Sequence, residues 1–193
     1  MSIRVLAIGG SLRRGSYNHL LLEQAQRQAP QGMSIEIADL SDIPLYNGDV
    51  QAQGFPASVQ RVAEQAAQAG AFLIATPEYN YSIPGVLKNA IDWLSRVPGA
   101  PFQGKPVAIA SASMGGMGGA RAQYHLRQVL IYLDVHPLNK PELFISAAHE
   151  KFAADGELTD ALSREGLDAL LAALAAHTHR LQGREAVAVA VAA

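Results

Sequence analysis

The sequence predicts a three-layer α/β sandwich, a five-stranded parallel sheet in the order 2-1-3-4-5 with helices on both faces. Two observations carry that prediction. Short, apolar, β-branched runs alternate with helical patterns along the 193 residues, which requires right-handed crossovers between parallel strands. The turns after the first, third and fourth runs are also the richest in hydroxyls, amides and glycine. Ligands of parallel sheets bind outside the carboxyl ends of the strands.

The elements follow in order. Residues 3–9 form a buried strand, and 16–28 a helix with apolar positions at Leu20, Leu21, Leu22 and Ala25, ending before Pro30-Gln31-Gly32. Residues 33–38 alternate polar and apolar, as a strand nearer an edge does. Residues 40–55, with Pro44, Asn47, Gly48 and Gly54, read mostly as loop. A helix over 56–68 and a strand over 70–76 come next. Pro84 stands where a first-turn proline is tolerated, opening a helix over 84–95. A strand over 105–112, a helix over 120–133, a fifth strand over 142–147 and a long amphipathic helix over 158–182 complete the chain. This is the strand count of the flavodoxin-like order, whose switch point lies between strands one and three. One domain is expected over 1–183, with an Ala/Val-rich, low-complexity tail over 184–193 read as a frayed end.

Composition narrows the chemistry. A formal net charge of -2 provides no basic field for nucleic acid, and none of the strong acidity of an electrostatically docked electron carrier. The chain has no cysteine, so disulfides, thiolate metal sites and thiol redox steps are excluded. No metal-ligand spacing is seen: His177 and His179 cannot share one helix face. With neither a cleavable leader nor a bilayer-length apolar run, a cytoplasmic protein without membrane contact is expected.

Three loops then carry the function. Around Gly9 and Gly10, Ser11, Ser16 and Asn18 offer neutral donors, Arg13 or Arg14 a charged fork, and the following helix its positive end. That set suits a phosphate dianion, although Ser16 reads equally well as a helix N-cap. The loop is neither a Walker A sequence nor a complete G-x-G-x-x-G. In residues 76–85 two prolines and two tyrosines make a stiff, flat, amphipathic surface, and Asn80 both donates and accepts, as the pyrimidine edge of an isoalloxazine requires. Glu78 reads as complementing a helix dipole rather than as a base. Residues 113–119 hold four glycines, which permit close backbone approach or simply a flexible turn. Arg121 and Arg127 read as surface or subunit contacts, with a nucleotide phosphate as the second option. Together the loops point to bound FMN.

At these residues the chain resembles the NADPH-dependent FMN reductase family, in its bacterial chromate and quinone reductase branch. The resemblance rests on Gly10-Ser11-Leu12-Arg13 with Ser16 and Asn18, and on Pro77-Glu78-Tyr79-Asn80-Tyr81-Ser82 leading through Pro84-Gly85 to residues 87–96. It continues in Ser113-x-Gly115-x-x-Gly118-Gly119-Ala120-Arg121 and Tyr124-His125-Leu126-Arg127-Gln128, and fades after Glu142. It implies FMN, a homodimer or homotetramer, and a ping-pong transfer from NADPH or NADH to small-molecule acceptors such as quinones, azo compounds or metal oxyanions. Ser11, Arg13, Ser16 and Asn18 would hold the phosphate, with Tyr17 beside them. Pro77, Glu78, Tyr79 and Asn80 would lie along the isoalloxazine, and Ser113 and Gly115 would border its other edge. No catalytic side chain is implied, because the flavin carries the chemistry. Release of reduced free flavin, or a flavodoxin-type carrier without catalysis, are the alternatives.

Overall fold

The computed structural model describes residues 2–191, with side chains to Gly183. Four parallel strands form the body of the sheet: β1 (Ile3–Gly9), β2 (Met33–Ile37), β3 (Ala71–Ala75) and β4 (Pro106–Ala112). The order is β2-β1-β3-β4-β5, with β2 at an edge and the reversal between β1 and β3, as predicted.

Alternation along each strand assigns the two faces. Val5 and Ala7 of β1 point into one core with Leu21, Leu22 and Ala25 of α1 (Tyr17–Arg27) and Leu167, Leu170, Leu171 and Leu174 of the last helix, α7 (Ala161–Val191). Leu6 and Ile8 point the other way. There they meet α3 (Ala57–Gln68), α4 (Gly85–Leu94) and α5 (Ala120–Ile131) through Val62, Leu87, Ile91 and Leu126. All of β3 and β4 is buried, as a parallel strand covered on both faces must be.

The structure departs from the sequence reading in four places. The fifth strand position is filled twice: β5 (His136–Pro137) pairs with the start of β4 and β6 (Leu143–Ile145) with its end. Only β6 falls in the predicted strand, because two residues around a proline carry no legible period. Within the predicted loop a short α2 (Gly48–Ala52) forms, since the Asn47 side chain caps it by accepting from the Asp49 N–H (2.9 Å). Pro84 is the N-cap of α4 rather than its first residue. The helical backbone of α7 continues to Val191 through most of the stretch expected as a tail, and Ala192 and Ala193 lie outside the described residues. A one-turn helix, α6 (Ala148–Lys151), follows β6.

Candidate active site

β1 and β3 end level, Gly9 opposite Ala75, and β4 passes Ala75 at Ala110 and ends two residues later at Ala112. Their outgoing loops therefore share one crevice at the switch point. Gly10 holds the first two together, donating its N–H to the Ala75 carbonyl at 2.8 Å. A Cβ on Gly10 would lie 3.0 Å from both Pro77 Cδ and Thr76 Oγ1, so glycine lets these loops close. Across the gap, Ser11 Oγ and Tyr79 Oη are 3.4 Å apart.

The loop after β1, expected to hold the phosphate and called the phosphate loop, turns through Gly15 at φ +67 and enters α1 at Ser16. Ser16 occupies the N-cap and is buried, yet its hydroxyl makes no capping bond. Ser16 thus stands at the N-cap without capping through its side chain. A lost cap costs about 1 kcal/mol, whereas burying Leu21 and Leu22 contributes about 1.5–3 kcal/mol each, so α1 tolerates the unspent hydroxyl. The first-turn N–H groups have no intrahelical acceptor and face the same loop. Arg13 is exposed, its guanidinium donating to the Arg14 carbonyl at 3.2 Å and lying 5.7 Å from the Tyr17 ring centre. A cleft of about 670 Å³ opens beside this loop toward β2, lined by Arg13, Arg14, His19, Glu36 and Asp39 among others.

Two residues expected at the cofactor also make contacts within the fold. Asn18 is buried and clamps α1 to β4: its amide donates to the Ala112 carbonyl (2.8 Å) and accepts from the Ala112 N–H (2.9 Å). One amide hydrogen and its backbone N–H remain to offer a ligand. Tyr17 packs its ring against Phe152, centroids 5.5 Å apart, while the Arg13 guanidinium of the loop lies 5.7 Å from the same ring.

In the ring loop, the segment after β3 expected to lie along the isoalloxazine, Tyr79 and Ser82 exchange both backbone hydrogen bonds at 3.0 Å around Asn80 (φ +51) and Tyr81 (φ +68). This positive-φ pair matches a type I′ turn. Asparagine suits the first position; a tyrosine at the second stores about 1–3 kcal/mol. Two contacts to α5 hold the turn in place. The Arg121 guanidinium lies 3.7 Å from the centre of the Tyr81 ring, and His125 Nδ1 is 3.1 Å from Ser82 Oγ. Glu78 is not at a helix start, since α4 begins at Gly85; its Oε1 is 2.5 Å from Arg121 Nη2. That carboxylate holds the guanidinium's pKa above its ordinary value. Sequence reasoning read Arg121 as a surface or subunit contact, or a nucleotide-phosphate ligand, and missed this partner.

The glycine loop is fixed from below. Ser111 Oγ donates to the Gly118 carbonyl (2.6 Å) and accepts from the Gln123 amide (2.7 Å), which also donates to the Leu143 carbonyl (2.8 Å). Gly118 and Gly119 both have positive φ, and a Cβ on Gly119 would lie 2.8 Å from Ser111 Cβ. Ser113 Oγ accepts the Gly115 N–H at 3.1 Å, placing these two residues at the start of the loop. Tyr79, Tyr81, Met114 and Met117 are exposed along the ring and glycine loops, and Leu12 on the phosphate loop. Among the described residues no group of three or more His, Asp or Glu could hold a metal ion, and no helix is long and apolar enough to cross a membrane.

Residues 3–150 match the family model described as NADPH-dependent FMN reductase. An NAD(P)H-dependent FMN reductase of Pseudomonas aeruginosa is 60% identical over 94% of this chain and 98% of its own. A quinone reductase of Escherichia coli is 46% identical over 93% of this chain and 96% of its own. Among solved structures, FerB of Paracoccus denitrificans, a flavoenzyme NAD(P)H:(acceptor) oxidoreductase, superposes with a TM-score of 0.84. It is 35% identical and covers 92% of this chain and 98% of its own.

Proposed function

The chain belongs to the NADPH-dependent FMN reductase family, and from that premise we propose that it carries electrons from NAD(P)H through bound FMN to quinones, azo compounds, metal oxyanions or similar acceptors. It is an oxidoreductase that uses FMN with NAD(P)H. The observation that best supports a resident flavin is Ser16, a buried N-cap residue of α1 whose hydroxyl makes no capping bond, in a loop that Gly10 closes against Pro77. FMN supplies the hydride-accepting and hydride-donating chemistry when bound.

The chain's own residues bind and orient. Ser11, Arg13, Ser16 and the first-turn N–H groups of α1 hold the phosphate by charge-assisted bonds. Pro77, Glu78, Tyr79 and Asn80 line one side of the ring through a stiffened loop, and Ser113 and Gly115 border the other. The exposed Tyr79 and Met114 leave a broad apolar approach, on which nicotinamide and acceptor would bind in turn. The test is anaerobic: purified yellow protein should bleach with NADPH and recover its colour with a quinone. Colourless protein that takes up no added FMN would end this proposal. The Pseudomonas relative's name favours a second reading, in which free FMN is the substrate. Rates saturating in added FMN, with no flavin retained on gel filtration, would select it.

A cytoplasmic homodimer or homotetramer completes the proposal. The exposed Tyr124 and Ile131 of α5, with its C-cap Tyr132, support a self-association face, and light scattering would give the subunit number.

A further inference from the structure

Within residues 77–82 and 113–121 the only charged side chains are Glu78 and Arg121, and the fold places one upon the other. The Glu78 side chain is 9% exposed and Arg121 35%. Glu78 Oε2 and Arg121 Nε are buried without a hydrogen-bond partner. The guanidinium also lies over Tyr81, whose φ of +68 is uncommon for a bulky residue. A carboxylate this deeply buried is retained only with a compensating charge. The pair thus brings no net charge to two loops whose exposed large side chains, Tyr79, Tyr81, Met114 and Met117, are aromatic or apolar.

We propose that Glu78 is a charge mask: paired with Arg121, it keeps the ring side of the site electrically neutral and so selects neutral planar acceptors over anionic ones. This rests on the flavin reading above and narrows its acceptor list away from metal oxyanions. Glu78 and Arg121 are positioning residues that act through the field at the ring. Replacing the carboxylate by an amide keeps the shape and leaves the cation uncovered. A cation favours the more negative, reduced form of a nearby group and draws in anionic partners.

The experiment compares wild type, Glu78→Gln and Glu78→Gln/Arg121→Gln as holoproteins. In Glu78→Gln the flavin midpoint potential should move positive, about tenfold in the reduced-to-oxidised ratio at fixed poise, or about 30 mV for two electrons. The kcat/KM for ferricyanide, measured against menadione, should rise about tenfold. The neutral double variant should restore both values. An unshifted potential and acceptor ratio in yellow Glu78→Gln, or a double variant that fails to revert, overturns the mask. Wild type gives a test that needs no variant. Its ferricyanide rate should change less than about twofold between about 50 and about 200 mM salt, and a tenfold fall would reveal an uncovered cation. Wild type that retains no FMN would instead overturn the flavin reading itself.

Discussion

Gly119 sits at φ +85 with its missing Cβ 2.8 Å from that of Ser111. Gly119→Ala would meet both backbone strain and overpacking, and should lower stability by about 2 kcal/mol or more in urea melts. Ser16 and Asn18 separate two roles that the sequence lists together. Ser16→Ala removes a hydroxyl that caps nothing. It should leave apoprotein stability unchanged while weakening FMN binding by about ten- to hundredfold in a fluorescence titration. Asn18→Ala strands the N–H and carbonyl of Ala112. It should cost the apoprotein about 3 kcal/mol as well, and an unchanged urea midpoint would contradict the clamp. The glycine turn and its cluster of donors after β1 were legible because they lie within one short stretch of sequence. The Asn18–Ala112 and Glu78–Arg121 pairs were not, since nothing in a local pattern says which distant group a side chain will meet.

Among the elements, those with a full hydrophobic period were readable to within a few residues: β1, β3 and β4 as continuous apolar runs, α3 and α4 by their buried stripes. Short pieces held by a single interaction escaped, as with α2 on its Asn47 cap and β5 on two residues of pairing. The start of α7 gives a pH prediction. Asp160 Oδ2 accepts from the Ser163 hydroxyl (2.6 Å) and the Ser163 N–H (2.9 Å), and these bonds hold its carboxyl below the ordinary range. A carboxyl depressed in the folded state contributes its stability in full above its unfolded pKa and loses it as pH falls through the folded value. Asp160→Asn should therefore be less stable than wild type near neutral pH. The gap in urea midpoint should close on acidification to about pH 3; a gap constant with pH would exclude the carboxylate as its source.

For the whole molecule, the site is a joint product of three strand ends, and binding should be felt globally. FMN at about a hundredfold its Kd should add about 2.7 kcal/mol to stability, seen as a melting temperature that climbs with FMN concentration. A flat melting temperature would mean that the folded chain holds no flavin. Fold class and switch point were legible because they depend on element order alone. The neutral ring side was not, because it arises from tertiary contact. The Asn18 clamp also carries a consequence for biosynthesis. It joins positions 94 residues apart, and contacts of such sequence separation close late in folding. During translation the start of α1 can emerge and turn, but it cannot be locked to the sheet until Ala112 has left the ribosome. A nascent chain shorter than that should not retain flavin, so cofactor loading follows assembly of the sheet's centre rather than guiding it.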